Sequence, residues 1–299
     1  MKEANVDLRQ LRYFVAIADA GSFTGAALTL HVAQSALSRH MKTLEESLGG
    51  ELFERGARGV VLTDGGTALL RNARFVLARI EDTRTEVLAL NGEVRGTVNL
   101  AMPSSLSSLI CVPMVSHFLD HLPGVALHLS EGTSQNVLGR IRDATLDAGI
   151  VTQPQPERHL DLEELGQENL MLMGLAGDPL LRKRGISPEI LPTLPVMMAG
   201  GLVPILGKWA RDLSPVVLVD STAPIKGLIL AGRGYAVVPL SSAWGDLARE
   251  GLAAVPLKGL HLTRFIATHR GRPVSQATRA VIRYLQQAVG PYLKVPRLA

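Results

Sequence analysis

The chain contains 299 residues, of which 46% are hydrophobic, so it is long enough for two or three domains and can bury a substantial core. Its single cysteine, Cys111, excludes an internal disulfide framework and a cysteine-based zinc cluster, and its formal net charge of +4 only weakly indicates a nucleic-acid partner. A charged N-terminus and the lack of an apolar run of about 20 residues predict a cytoplasmic protein without signal peptide or membrane span.

The first 63 residues are predicted to form three short helices followed by a small β-hairpin. Apolar residues of Leu8–Ala18 recur at helical spacing, and a second helix, Phe23–Leu30, follows a glycine stop. After a short turn comes a third helix, about Gln34–Leu48, and then Leu52–Thr63, in which glycine turns flank short β-prone runs. The inward positions of the third helix are expected to be Leu37, Met41, Leu44 and Leu48.

This arrangement predicts a winged helix-turn-helix whose third helix presents a polar face to DNA. Gln and Arg side chains can make bidentate contacts to base edges, whereas Ser and Lys suit phosphate, and the hairpin carries two arginines. The expected DNA-binding residues are Ser22, Thr24, Gln34, Ser35, Ser38, Arg39, Lys42, Arg55, Arg58 and Thr63. An ordinary three-helix bundle with a solvated polar face has the same spacing, so the spacing alone leaves both interpretations open.

Residues 64–91 are predicted to form one long helix that carries an apolar stripe at alternating spacings of four and three. Such a stripe, sustained over three heptads, favours a coiled coil between two chains over an amphipathic helix packed on its own domain. The expected dimer positions are Leu69, Ala73, Val76, Ile80, Thr83, Val87 and Leu90.

From about residue 97 the pattern changes to short β-branched runs that alternate with helices, which predicts a parallel α/β sheet. The candidate strands are Val98–Met102, Val125–Ser130, Ala148–Val151, Val216–Val219, Tyr235–Val238 and Phe265–Thr268. The candidate helices are Leu109–Leu119, Gln135–Ala144, Ile225–Ala231 and a last helix that Ser275 caps and that ends at Val289.

Small hydroxyl side chains follow four of these strands. Ligands of such sheets collect at the carboxyl ends of the strands, and the N–H groups of helix N-termini favour anions, so we expect a pocket for a small polar or anionic effector. The expected effector-binding residues are Ser104, Ser105, Thr133, Ser134, Thr152, Ser221 and Thr222. The alternative is that each hydroxyl only caps a helix.

The stretch from Leu8 to Gly66 resembles the DNA-binding domain of the LysR-type transcriptional regulators almost continuously. The resemblance rests on Gly21-Ser22-Phe23-Thr24, Ala36-Leu37-Ser38-Arg39, Leu52-Phe53-Glu54-Arg55 and Leu62-Thr63-Asp64, and, more loosely, on Leu146–Ile150 and Gly232–Pro239. Ser35 departs from the family pattern, which usually has proline there to fix the start of the helix.

The resemblance implies an α+β multidomain chain: a winged helix-turn-helix over 1–63, a linker helix over 64–91 that pairs two subunits, and an effector-binding domain over 92–299. That domain would resemble a type 2 periplasmic binding protein, with subdomain I at about 97–164 and 269–299 and subdomain II at about 165–268. A cleft would lie between the two subdomains, and the segment Pro195–Leu206 would line part of it. The implied function is a regulator that binds promoter DNA as a homodimer or homotetramer and responds to a small-molecule effector, without cofactor or enzymatic activity. The effector, the operator and the sign of regulation are left open.

Other interpretations have less support in the sequence. A solute-binding protein would fit the C-terminal half alone, and a cytosolic α/β enzyme lacks a nucleophile–base pair, a carboxylate dyad or a metal set. His117 and His121 are four residues apart but have no apparent third metal ligand, and Gly201–Lys208 departs from a phosphate-binding loop in spacing and in its Trp209. We therefore expect no metal site.

Overall fold

The computed structural model describes residues 6–56, 59–89, 94–244, 247 and 249–293. The chain divides into two compact units, Met1–Asn91 with Arg142–Thr145, and Gly92–Ile141 with Leu146–Ala299. None of the described helices combines the length and the apolar surface that a membrane span requires.

The first unit contains three short helices, a hairpin and a long helix, in the predicted order. Its elements are α1 (Leu8–Ala20), α2 (Phe23–Leu30), α3 (Gln34–Leu48), β1 (Phe53–Gly56), β2 (Gly59–Leu62) and α4 (Asp64–Ala89). Side chains define the starts of α1 and α2: Asp7 and Gln10 form a reciprocal capping box, and Ser22 Oγ accepts a hydrogen bond from Gly25 N at 3.0 Å. Gly21 ends α1 in the left-handed conformation (φ 61°), which glycine adopts without steric cost.

One aromatic and aliphatic core holds the first unit together. Phe14 is fully buried, and its ring centroid lies 5.1 Å from that of Phe53 in the hairpin. Leu37, Met41 and Leu44 face this core as predicted, whereas Leu48 is exposed, because it is the last residue of α3 and projects past the packed helices.

The second unit contains an eight-stranded sheet that is mixed, so the prediction of a parallel sheet was wrong for its centre. Its strands are β3 (Gly96–Met102), β4 (Val125–Glu131), β5 (Ala148–Thr152), β6 (Leu160–Leu175), β7 (Val196–Met198), β8 (Val217–Leu218), β9 (Tyr235–Pro239) and β10 (Leu252–His269). Their order is β4-β3-β5-β10-β6-β9-β7-β8. The two outer groups are parallel, but β10 is antiparallel to β5 and β6, and β6 is antiparallel to β9.

Helices cover this sheet and divide it into two halves with separate cores. The helices are α5 (Ser104–His121), α6 (Ser134–Arg142), α7 (Thr222–Leu230) and α8 (Gln276–Val289), and 3₁₀ segments occur mainly in the second half. The long strands β6 and β10 serve both halves: Ile266 packs in the first core, whereas Val255 at the other end of β10 packs in the second. The chain therefore passes between the halves inside two strands, and the predicted subdomain limits near 164 and 268 fall within β6 and β10.

Phe14→Ala should lower the free energy of unfolding of the first unit by roughly 3–5 kcal/mol, because a large buried ring is lost and leaves a cavity. Unfolding followed by circular dichroism measures this loss. Leu28→Ala, on the exposed side of α2, is the matched control and should change stability by less than about 0.5 kcal/mol. Equal losses in both variants would contradict the core described above.

Candidate functional site

The third helix of the first unit presents a row of exposed polar side chains. Gln34, Ser35, Arg39 and Lys42 are exposed, and Ser38 is half-buried beside them. The structure also brings Thr24 to this row, since its Oγ1 donates a hydrogen bond to Gln34 Oε1 at 3.4 Å. Six of the ten predicted DNA-binding residues thus lie together at the junction of α2 and α3.

The other predicted DNA-binding residues divide into two groups. Ser22 caps α2, and Thr63 Oγ1 accepts from Gly66 N at 2.9 Å and donates to Glu51 O at 2.8 Å, so both hydroxyls already bind their own backbone. Their hydroxyls therefore have a structural role at helix starts. Arg58 and the side chain of Arg55 lie outside the described residues.

The apolar stripe of α4 has two parts with different surroundings. Leu69 and Ala73 pack in the core of the first unit, and Ala73 is only 2% exposed, which removes it from the surface that a partner could contact. Val76 and Val87 are 40% and 60% exposed, Ile80 is half-buried and Thr83 is exposed. Leu90 lies outside the described residues. The candidate dimer stripe therefore begins at Val76.

A cleft of about 760 Å³ lies between the two halves of the second unit, and all seven predicted effector-binding residues line it. The segment Pro195–Leu206, which was predicted to line part of the cleft, lines it with Ala199–Leu202, Pro204 and Ile205. The volume is in the range of small-molecule sites. The sequence thus predicted which side chains would meet at the strand ends.

The hydroxyl groups around the cleft are not equivalent. Ser134 Oγ accepts from Thr152 N at 2.9 Å, and Thr133 Oγ1 accepts from Asn136 N at 3.4 Å, so these two hydroxyls support the walls. Ser221 precedes α7 without forming a side-chain cap, and Ser104 begins α5, where Pro103 provides none. The capping alternative therefore applies to Thr133, whereas in the described part of the chain no side chain caps the first turns of α5 and α7.

The floor of the cleft is a buried ion pair that the sequence analysis missed. Arg264 on β10 lies opposite Gly166 of β6, and Glu168 lies two residues further along β6, so the two side chains are diagonal neighbours. Arg264 Nε lies 2.7 Å from Glu168 Oε1, and the side chains are 2% and 0% exposed. A charged residue within the apolar run of β10 was the available signal, because buried charges require partners.

Hydrogen bonds extend this ion pair into both halves. Arg264 Nη1 donates to Thr152 Oγ1, and Nη2 donates to Ser105 Oγ at 3.1 Å. Glu168 Oε2 accepts from Ser241 N, just after β9, at 2.7 Å. Ser105 and Thr152 are therefore held by Arg264, which gives both of them a supporting role at the floor.

Three other residues discussed in the sequence analysis, His117, His121 and Cys111, lie outside the cleft. The rings of His117 and His121 stack with centroids 4.6 Å apart, and the described residues contain no group of three or more side chains suited to a metal ion. Cys111 is half-buried on α5 and is not among the residues that line the cleft.

Comparison with known proteins decides the family. The profile "Bacterial regulatory helix-turn-helix protein, lysR family" matches residues 8–67, and "LysR substrate binding domain" matches residues 91–290. The chain belongs to the LysR family of transcriptional regulators. The family membership confirms the predicted architecture of a helix-turn-helix domain followed by an effector-binding domain.

Relatives cover nearly the whole of this LysR-family chain. The nitrogen assimilation regulatory protein nac of Klebsiella aerogenes is 33% identical over 246 residues, 80% of each chain. Full-length OxyR from Pseudomonas aeruginosa, solved as a point variant, has a TM-score of 0.73 at 22% identity over 95% of this chain and 97% of that one. Full-length CbnR complexed with its target DNA has a TM-score of 0.65 at 21% identity over 94% and 99%. The two structures show that the fold is shared.

Glu168→Ala should lower the free energy of unfolding of the second unit by about 3–5 kcal/mol, because it leaves the guanidinium of Arg264 buried without its counter-charge. Both tryptophans, Trp209 and Trp244, belong to this unit, so denaturant unfolding can be followed by their fluorescence. Replacing both partners, Glu168→Leu with Arg264→Met, should recover most of the loss. A double variant as unstable as the single one would contradict this account.

Proposed function

We propose that this LysR-family regulator reads DNA with the exposed row on α3 and senses a small molecule in the cleft of its second unit. The observation that carries the proposal is the presence, in one chain, of an exposed polar recognition helix and of a cleft into which three helix starts and a buried arginine converge. The relative nac is a nitrogen assimilation regulatory protein, and we extend a regulatory role to this chain without any enzymatic activity. Acting on promoter DNA would place it in the cytoplasm.

On the DNA side, Gln34 and Arg39 are the proposed base-reading residues. Each can make two parallel hydrogen bonds, Gln34 to adenine and Arg39 to guanine, in the major groove. Thr24 supports Gln34 from α2 through the contact between their side chains. Ser35, Ser38 and Lys42 have shorter or single-point donors that suit phosphate. The pair of Lys42 with Glu46, at 4.0 Å and exposed to solvent, is too weak to withhold the ammonium from DNA.

Two chains would pair along α4 to present two recognition helices. Apolar side chains in the distal half of α4, Val76 and Val87, remain exposed in the single chain, which a coiled-coil partner would cover. CbnR has been solved with its target DNA, and we propose a comparable assembly here, as a dimer or a tetramer.

Sensing requires that the effector bind two arrangements of the cleft with different affinity. Since β6 and β10 are shared by both halves, a ligand held by Ser104 and Thr222 from opposite walls would favour a closed arrangement. These two hydroxyl oxygens are 3.4 Å apart across the cleft. A tenfold change in DNA affinity requires a coupling free energy of only about 1.4 kcal/mol between effector binding and DNA binding.

Arg39→Ala should lower affinity for a specific operator by about 1–3 kcal/mol, since a bidentate base contact is lost. Titration of operator DNA against the folded variant, followed by fluorescence anisotropy, measures the change. Arg211→Ala, an exposed arginine in the second unit, controls for the loss of one positive charge. If both variants bind the operator as the unchanged chain does, Arg39 does not read DNA.

Val87→Asp, alone or with Val76→Asp, should shift the chain to a smaller oligomer, because each substitution places a carboxylate in the proposed seam. Both positions are exposed in the single chain, so folding should be preserved. Light scattering coupled to size exclusion gives the mass, and Asn72→Asp provides a carboxylate at an exposed polar position of the same helix as control. An unchanged mass in the double variant would exclude this stripe as a subunit contact.

A further inference from the structure

The two walls of the cleft differ in polarity. The first half of the second unit provides hydroxyl and amide side chains, among them Ser104, Gln135, Gln153 and Gln155. The second half provides mainly apolar side chains, among them Ala199, Leu202, Pro204 and Ile205. Because each wall contacts the part of a ligand that matches its polarity, the cleft fits a molecule with one polar end and one apolar body.

The charges of the cleft limit the charge of its ligand. Among the described lining residues the ionisable side chains are Arg264 and Asp220, and Arg264 is already neutralised by Glu168 at 2.7 Å. Asp220 is exposed at the rim, and its Oδ1 accepts from Gly200 N at 3.0 Å. The N-terminal ends of α5, α6 and α7 also face the cleft, and each carries about half a positive charge, which opposes the negative charge of Asp220. The three half charges exceed the charge of Asp220 by only about half a unit, so the cleft favours a single ligand carboxylate, and a second would meet the charge of Asp220.

Arg264 still offers donors to a ligand. Its guanidinium carries five N–H groups, of which the contacts to Glu168, Thr152 and Ser105 use three. The other two, one on each terminal nitrogen, have no described protein acceptor, and Arg264 lines the cleft. A fixed fork of this kind suits a carboxylate group at the floor.

We propose that the cleft selects a small monocarboxylate with an apolar body and discriminates against dicarboxylates and inorganic oxyanions. The carboxylate lies at Arg264 and the first turns of α5 and α7, and the body lies against Ile205 and Ile225. Asp220 at the rim is the residue that rejects a second carboxylate. This assignment rests on the proposed sensing role of the cleft and defines its ligand class.

The test uses matched probes on the full chain. Hexanoate and adipate have six carbons each and differ by one carboxylate, 3-phenylpropanoate offers an aromatic body, and sulfate is a small dianion. Isothermal titration should give an affinity for hexanoate or 3-phenylpropanoate at least tenfold higher than for adipate, with no measurable binding of sulfate. Tighter or equal binding of adipate or sulfate would overturn the proposal.

Three variants locate the selectivity. Asp220→Asn should raise the affinity for adipate several-fold and so reduce the ratio of hexanoate affinity to adipate affinity. Asp212→Asn, which removes an exposed carboxylate outside the lining, should leave this ratio unchanged. Ile205→Ser should weaken hexanoate about tenfold. Binding that is insensitive to both Asp220→Asn and Ile205→Ser would place the probes outside the cleft and overturn the proposal.

Operator binding is measured in parallel, so that the proposed ligand class and the proposed DNA-binding function are tested separately. A chain that binds operator but none of the monocarboxylates overturns the ligand class and leaves the regulator function intact. A well-folded chain that binds monocarboxylates as expected but no operator contradicts the proposed DNA reading and leaves the ligand class intact.

Discussion

The buried pair of Arg264 and Glu168 is the constraint on which the second unit depends. Each charge would be costly to bury alone, and each is stabilised only because the other lies on the adjacent strand at 2.7 Å. Their remaining hydrogen bonds reach α5, β5 and the backbone after β9, which belong to different halves of the unit. The pair therefore fixes how β6 and β10 cross from one half to the other, and it forms the floor of the cleft at that point.

Local patterns predicted most of the outer elements well. The helices of the first unit, the hairpin and the outer strands each have a periodicity or a cap that can be read within ten or fifteen residues. Ser275, for example, was predicted to cap the last helix, and its Oγ accepts from Thr278 N at 3.1 Å at the start of α8. The same local reasoning placed seven hydroxyl residues at strand ends, and the structure places all seven around one cleft.

Of the two long central strands, only the end of β10, Phe265–Thr268, was predicted in this way. The sequence of β6 begins with Leu-Asp-Leu-Glu, but this alternation stops at Glu164 and Gly166 follows, so no alternation sustained along the segment marks a half-buried strand. Its main pairing partner, β10, lies about ninety residues further along the chain, and both segments become strands through pairing with distant parts of the chain. Arg264 was missed for the same reason, since its partner Glu168 is 96 positions away. Interactions at such separations leave no periodic signal in either segment.

The hydroxyl groups of the cleft show why residue type alone does not assign a role. Thr133, Ser134 and Thr152 have the composition of ligand-binding residues, yet each is engaged with the backbone or with Arg264. Ser221 has the same type of side chain but forms no cap, and Ser104 is engaged, among the described residues, only by the hydroxyl of Thr222 at 3.4 Å, so these hydroxyls can turn to a ligand at little structural cost. A response to ligand therefore depends on the few hydroxyl groups that bind neither the backbone nor Arg264. Those groups lie at the first turns of α5 and α7, on opposite walls, where one bound carboxylate would bring both halves into contact with a single charge.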